Sequence, residues 1–210
     1  MPKRQIVDTH AHICDPVFDE DRSEVLERAG AAGITAIIAV GEDLSDARKN
    51  IDLAADHPML RPAAGLYPTI LDGARAAEMH GFIRKERAGL VAVGEVGLDF
   101  WIVKEESDKE LQKEIFRGFI TLASELDLPL NVHSRSAGRH AVALLLDCNA
   151  ANVQMHAFDA KASAAQPALE AGYFFSIPPS VVRSRQKQKL VKKLPLSHLL
   201  VESDSPVLGP

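Results

Sequence analysis

The 210-residue chain has few cysteines and no long apolar segment. Its two cysteines, Cys14 and Cys148, show no C-x-x-C spacing, so we expect reduced thiols rather than a disulfide framework or a zinc–thiolate site. No run approaches the roughly 20 apolar residues that a membrane span requires, and the N-terminus lacks the charged start and apolar stretch of a secretory signal. We therefore expect a soluble intracellular protein, cytoplasmic or nuclear, with no membrane partner.

Positive charge is also scarce, with 24 Lys and Arg residues against 29 Asp and Glu residues and a net charge of -5. This balance argues against a protein that coats nucleic acid through bulk electrostatics. The negative net charge does not exclude a nuclease, because bound divalent cations would make a local acidic pocket attractive to phosphate. The one notable basic stretch, residues 183–193, is typical of the solvated face of a helix.

What the chain does contain is an alternation of strand and helix patterns. Eight short apolar runs, most of them near-continuously apolar as in strands covered on both faces, predict strands at residues 5–12, 34–40, 60–65, 90–95, 130–133, 153–156, 173–177 and 199–202. Helical spacing occupies residues 20–32, 46–57 and 108–127. The alternation predicts an α/β fold with a parallel sheet, and eight strands predict a closed (β/α)8 TIM barrel, a single domain over residues 1–210.

The eighth predicted strand is followed only by residues 203–210, which leaves no residues for an eighth helix. Barrels of this kind usually need about 250 residues, although about 200 lies within the observed range. We therefore expect the barrel to lack its final helix and the apolar flank of strand eight to be poorly covered, unless a partner subunit covers it. The sequence does not fix the oligomeric state.

The predicted strands end in residues that bind metals. His10 and His12 lie two apart at the end of the first strand, where their side chains point to the same side and together suit a transition metal. Four more candidate ligands end or follow other predicted strands: Glu95, His133, His156 and Asp204. Because the active site of a TIM barrel lies at the C-terminal ends of its strands, we expect all six side chains to meet there.

Six ligands exceed what one catalytic zinc takes from protein, which is about three plus water. We therefore expect two divalent metal cations per chain, with the two oxygens of Glu95 bridging them. Two metals roughly 3.5 to 4 Å apart can activate a water and stabilise the charge that develops in a phosphoryl displacement. The ligand types do not distinguish zinc, manganese, magnesium, nickel and cobalt.

Five motif blocks resemble those of TatD-type metal-dependent deoxyribonucleases, which belong to the amidohydrolase superfamily of metal-binding barrels. The blocks are D-T-H-A-H at 8–12, G-E-V-G-L-D-F at 94–100, N-V-H-S-R at 131–135, H-A-F at 156–158 and E-S-D-S-P at 202–206. Residues 130–138 and 172–210 are most similar to the TatD-domain-containing deoxyribonuclease three subgroup of animals. The resemblance implies a metal-dependent hydrolase of phosphodiester bonds that acts on DNA and uses a divalent cation as cofactor.

The resemblance also implies a role for each of the six candidate ligands. The implied set is His10, His12 and Asp204 on the first metal, His133 and His156 on the second metal, and Glu95 bridging both. In the superfamily, the aspartate at the position of Asp204 also contacts the attacking water. Asp204 is therefore the predicted general base. Asp204 and Glu95 are therefore the predicted catalytic residues.

Substrate contacts are predicted for three residues near these ligands. Arg135 and Arg139 follow His133 and could hold a phosphate through paired hydrogen bonds. Tyr67 stands where the family usually has a histidine, in the segment G-L-Y-P at 65–68. A phenol donates a hydrogen bond but titrates at about pH 10, so it cannot replace an imidazole as a proton shuttle near neutrality.

Four further residues have predicted effects around the site. Glu202 and Asp8 are expected to orient histidine N–H groups, and Asp99 either caps the segment that follows it or serves the site. Ala160 replaces a glycine that is common in the family, and it would be strained if its φ were positive.

Two alternative functions fit the same residues. An amidohydrolase acting on a cyclic amide, lactone or phosphotriester would share the ligand spacing, although the fourth strand has no lysine of the kind that becomes carboxylated. A shortened, catalytically impaired family member with a binding or scaffold role would account for Tyr67 and the early stop. Its six intact ligands argue against that reading.

Overall fold

The computed structural model describes residues 5–208 of the chain. All eight predicted strands are present: β1 (Ile6–Ala11), β2 (Ile34–Ala39), β3 (Leu60–Ala64), β4 (Ala92–Gly97), β5 (Leu130–His133), β6 (Val153–Met155), β7 (Phe174–Ile177) and β8 (Leu199–Val201). β4 begins and ends two residues later than predicted, so Glu95 lies inside this strand rather than at its end.

The strands form one parallel sheet in chain order from β1 to β8. Where β8 meets β1, the Asp204 N–H donates to the carbonyl of His10 at 2.9 Å, and the His12 N–H donates to the carbonyl of Ser205 at 2.8 Å. These bonds nearly close the sheet into a barrel. The predicted (β/α)8 TIM barrel is confirmed, and its closing seam passes through three of the predicted metal ligands.

Seven helices connect the strands: α1 (Arg22–Ala32), α2 (Leu44–Asp56), α3 (Gly73–Glu86), α4 (Glu106–Leu126), α5 (Gly138–Asp147), α6 (Gln166–Glu170) and α7 (Arg185–Val191). The three helices predicted from periodicity are α1, α2 and α4, and each begins and ends within two residues of its prediction. α2 begins where the Asp43 carboxylate accepts hydrogen bonds from the N–H groups of Ser45 and Asp46, at 2.9 and 3.2 Å.

The main hydrophobic core lies between the sheet and the surrounding helices. Phe116, Phe119 and Leu122 of α4 are buried in one cluster with Val96 of β4 and Leu130 of β5. Burial of one such side chain stabilises the fold by about 1.5–3 kcal/mol. This layer holds β4 and β5 in place, and both strands carry predicted metal ligands.

The interior of the barrel contains hydrogen-bonded polar side chains. The Gln154 amide donates to the Thr9 carbonyl and to the Ser176 hydroxyl, both at 3.0 Å, and the Asn131 amide donates to the same Thr9 carbonyl at 3.0 Å. The Asn131 Oδ1 atom lies 2.9 Å from His10 Nδ1 and accepts a hydrogen bond from it. These pairs satisfy buried polar groups and fix the ring of His10.

The flank of β8 is poorly covered, as predicted. No residue of β8 is buried, Val201 is 53% exposed, and Val7 on neighbouring β1 is 43% exposed. Between β8 and residue 208 the chain forms turns and no helix. Among residues 5–208, no helix has the length and apolar character needed to cross a membrane.

Candidate metal centre

All six predicted metal ligands converge at the C-terminal end of the barrel. Their side chains are buried: His10, His12, Glu95, His133, His156 and Asp204. Within residues 5–208 these four are the only buried histidines, and the only other buried carboxylates are their neighbours Asp99 and Glu202. Separate structural roles would scatter such residues through the core, whereas here they form one cluster.

The first half of the cluster joins β1, β4 and the segment after β8. The Nε2 atoms of His10 and His12 are 3.3 Å apart. Glu95 Oε2 lies 3.6 Å from His10 Nε2 and 3.5 Å from His12 Nε2. Asp204 Oδ1 lies 3.4 and 3.5 Å from the same two nitrogens. Four possible metal-binding atoms from four residues therefore surround one point.

The second half joins β4, β5 and the segment after β6. Glu95 Oε1 lies 2.6 Å from His133 Nδ1 and 3.8 Å from His156 Nε2. His156 Nε2 also lies 3.8 Å from Asp204 Oδ2, and its ring stacks on the ring of His10 with centroids 3.5 Å apart. The two oxygens of Glu95 thus face different halves of the cluster, and Glu95 belongs to two groups of three possible ligands, one with His10 and His12 and one with His133 and His156.

Neighbouring carboxylates determine which nitrogen of His133 and His156 faces the site. Asp99 Oδ2 lies 3.1 Å from His133 Nε2, and Glu202 Oε2 lies 2.8 Å from His156 Nδ1. Each carboxylate accepts an N–H there, so the opposite ring nitrogen faces the cluster and would offer its lone pair to a metal that displaces its proton. Glu202 therefore has the orienting geometry predicted for it.

Asp99 combines the two roles that the sequence left open. Its Oδ1 atom accepts hydrogen bonds from the N–H groups of Trp101 and Ile102, both at 2.8 Å, while its Oδ2 atom accepts from His133. One buried carboxylate thus caps the turn after β4 and orients a candidate ligand. A lone Asp in a sequence motif does not reveal that both oxygens are used.

The prediction that Asp8 orients a histidine ring is wrong. The Asp8 Oδ1 atom accepts hydrogen bonds from backbone N–H groups, from Ser203 at 2.9 Å and from His10 at 3.3 Å. Asp8 therefore ties β1 to the segment that follows β8. Its effect on the site is indirect, because that segment carries Asp204.

Two residues of the site have left-handed backbone conformations. Ala157 has a φ of 39° and Asp204 a φ of 51°. Non-glycine residues in this region are held there by the surrounding structure, and the Ala157 N–H donates to Glu202 Oε1 at 3.0 Å. The strain considered for Ala160 is absent, because its φ is not positive.

The cluster is strongly coupled electrostatically. Burial lowers the pKa of His10 to about 3, so its ring is neutral. Burial would also lower the pKa of His133, but the carboxylates of Glu95 and Asp99 raise it to about 9. Burial acts to raise the pKa of Glu95, yet the positive charge and the hydrogen bond of His133 hold it well below its usual range. The ionised carboxylates therefore attract positive charge to the centre of the cluster.

Three observations fit divalent cations at this cluster. The buried Glu95 Oε2 atom has no hydrogen-bond partner, which leaves a charged oxygen uncompensated. Two ligands each about 2.1 Å from a tetrahedral ion are roughly 3.4 Å apart, close to the 3.3–3.6 Å separations in the first half. The four buried carboxylates would also balance the charge of two divalent cations.

A comparison with known protein families identifies the family of this chain. A family model described as TatD related DNase matches residues 7–210, a range that contains all six candidate ligands. The chain belongs to the TatD family. The predicted family and its TIM barrel fold are therefore confirmed.

Relatives of this TatD chain occur in animals and bacteria. Deoxyribonuclease TATDN3 of Homo sapiens is 41% identical over 219 residues, which cover 98% of the chain and 79% of that relative. The uncharacterized metal-dependent hydrolase YabD of Bacillus subtilis is 32% identical over 213 residues, which cover 98% and 82%. The crystal structure of YJJV, a TatD homologue from Escherichia coli, matches with a TM-score of 0.88 at 27% identity, over 97% of the chain and 80% of that structure.

The cluster of this TatD barrel lies at the floor of a cavity of about 420 Å³. Of the predicted substrate contacts, Tyr67 and Arg135 line the cavity, whereas Arg139 is exposed on the first turn of α5 and does not. The ring of Tyr67 packs edge-on against His133 with centroids 5.1 Å apart. Burial raises the pKa of the Tyr67 phenol, so it stays a neutral hydrogen-bond donor.

The structure adds Lys187 to the cavity, a residue that the sequence placed on a solvated helix face. Lys187 Nζ donates to the Ala157 carbonyl at 2.9 Å, and burial lowers the pKa of this amine. The neighbouring Gln186 amide donates to Asp159 Oδ1 at 3.1 Å, which holds α7 against the segment after β6. One feature of the sequence could have predicted this position. Lys187 lies three residues before the buried Leu190, and this i, i+3 spacing places both side chains on the same side of α7.

Proposed function

We propose that this TatD barrel is a metal-dependent deoxyribonuclease that hydrolyses phosphodiester bonds. The observation that carries the proposal is the convergence of every buried histidine and carboxylate of residues 5–208 on one cluster, at the floor of a cavity that Arg135 and Lys187 also line. The name of the human relative, deoxyribonuclease TATDN3, and the family description TatD related DNase support DNA as the substrate.

We further propose two divalent cations per chain, with zinc, manganese, magnesium, nickel and cobalt all compatible with the ligand types. The assigned ligands are His10, His12 and Asp204 for one cation, His133 and His156 for the other, and Glu95 for both. When bound, such cations supply Lewis acidity and lower the pKa of a water. The separate orientation of each Glu95 oxygen supports the bridging assignment.

The chain's own residues would position the substrate and move the proton. Asp204 lines the cavity, and we assign its carboxylate as the general base that accepts a proton from the attacking water. Arg135 and Lys187 offer positive charge to a phosphate at the cavity wall. Tyr67 can donate a hydrogen bond to the substrate, but its raised pKa prevents it from shuttling protons.

Changing Lys187 to methionine is expected to raise the KM for DNA roughly 10- to 100-fold, because a charge-assisted hydrogen bond contributes about 1.5–3 kcal/mol. Lys189→Met is the matched control, since Lys189 lies on the same helix but is exposed and does not line the cavity. Steady-state kinetics on a labelled oligonucleotide measure the difference. Equal KM values for both variants and the wild type would exclude Lys187 from substrate binding.

An assay of one metal-replete sample against several substrates tests the proposed function. Labelled DNA is compared with cyclic amides, lactones and phosphotriesters, the substrates of the amidohydrolase alternative. We expect hydrolysis of DNA and a much slower reaction with the others. Hydrolysis of an amide or lactone without DNA cleavage would overturn the proposal, and a metal-loaded sample without any hydrolysis would indicate the impaired alternative.

A further inference from the structure

An exposed aromatic side chain lies beside the cavity. Trp101, the only tryptophan of the chain, follows β4 and is 55% exposed. A tryptophan buries a large apolar surface when it packs, so an exposed one at the edge of a candidate site offers that surface to a ligand. Neither the metal ligands nor the core accounts for this side chain.

Two cationic side chains stand over the Trp101 ring. The Arg135 guanidinium carbon and the Lys104 Nζ atom each lie 5.2 Å from the ring centroid. Both separations fall within the roughly 6 Å range of cation–π contact. Because Arg135 also lines the cavity, the ring and the candidate metal centre share one cation as a neighbour.

Hydrogen bonds fix the Trp101 backbone relative to the cluster. The Trp101 N–H donates to Asp99 Oδ1, and the other oxygen of Asp99 accepts from the candidate ligand His133. The Phe100 N–H donates to the Arg135 carbonyl at 3.0 Å. The ring therefore projects from a segment that is tied both to the metal cluster and to the cation beside it.

We propose that Trp101 stacks against a nucleobase of the substrate while Arg135 and Lys104 bind the adjoining phosphates. The inference rests on the proposed nuclease function and adds a binding residue to it. A nucleic acid strand alternates negative phosphates with flat bases, and this surface combines one exposed aromatic ring with two neighbouring positive charges. Stacking requires an exposed base face, so the occupant is an unpaired base of a single-stranded segment.

The kinetic test compares Trp101→Ala and Trp101→Phe with Ile102→Ala. Ile102 is the matched control, because it is the next residue, is 56% exposed and donates to the same Asp99 oxygen. We expect Trp101→Ala to raise the KM for single-stranded oligothymidylate on the order of 10-fold, with kcat little changed. Trp101→Phe should retain part of the affinity, and Ile102→Ala should match the wild type.

A small diester separates this inference from the proposed function. We expect the ratio of kcat/KM for oligothymidylate to kcat/KM for methyl 4-nitrophenyl phosphate to fall about 10-fold in Trp101→Ala. A wild-type protein that cleaves DNA, with an unchanged ratio in Trp101→Ala, would overturn the stacking role alone. A wild-type protein that cleaves neither substrate would overturn the proposed function. The stacking role of Trp101 would then be tested by the binding measurement described next.

Fluorescence of the single tryptophan provides that binding measurement without turnover. Oligothymidylate is titrated into the metal-loaded Asp204→Asn variant, which keeps five of the six candidate ligands and lacks the assigned base. We expect saturable quenching that weakens as salt is added, because phosphate contacts are screened. No spectral change with oligothymidylate, or a blue shift only with vesicles of phosphatidylcholine and phosphatidylserine, would overturn the proposal.

Discussion

Changing Glu95 to alanine is expected to lower DNA hydrolysis roughly 10³-fold or more and to remove both metals together. Glu95 has one oxygen close to a histidine in each half of the cluster, with Oε1 2.6 Å from His133 Nδ1 and Oε2 3.5 Å from His12 Nε2. Loss of this side chain leaves neither half with a complete ligand set. Elemental analysis and a nuclease assay on the same sample measure both effects.

A second variant separates the bridging role from a general loss of negative charge. Glu42 lines the same cavity but forms no ion pair with the four histidines among residues 5–208. Glu42→Gln should therefore keep the metal content of the wild type. Circular dichroism shows whether each variant is folded, and a folded, active Glu95→Ala protein with two bound metals would refute the bridging assignment.

Removal of the metals with a chelator is expected to abolish hydrolysis and to lower the melting temperature. Without cations, four buried carboxylates at the barrel end repel one another, and His133, whose pKa is raised to about 9, compensates part of their charge. An ion present at 100 times its Kd stabilises the folded state by about 2.7 kcal/mol, which corresponds to roughly 5–10 °C for a domain of this size.

Calorimetry with and without EDTA measures that shift, and Glu95→Ala is the internal control. The variant should show a smaller shift than the wild type, because it binds less metal before the chelator is added. If EDTA changes neither the melting temperature nor the rate of hydrolysis, the cluster does not hold functional metals.

The strands were easier to predict than the helices because of how this barrel buries its residues. A strand covered on both faces is apolar at nearly every position, as β4 is apart from Glu95, whereas a helix shows only one apolar stripe. In α3 the buried positions begin with the small Ala76, and alanines also occupy exposed positions, so the stripe is faint. α6 and α7 are too short to establish a period.

The candidate ligands could be predicted because strand ends of a parallel barrel meet at one end, whatever their separation in sequence. No such rule identifies the residues that line the walls of the cavity. Arg139 lies four residues after Arg135, yet the first turn of α5 carries it away from the cavity. Lys187 reaches the wall only through the packing of α7 against the segment after β6, and this contact spans 30 residues of sequence.

The most direct measurement is a metal titration of chelator-treated protein, with bound metal and DNA hydrolysis determined on the same sample at each step. We predict that the rate rises until two ions are bound per chain and then stays constant, because Glu95 faces both halves of the cluster. Full activity with one bound ion, or with none, would contradict a two-metal deoxyribonuclease.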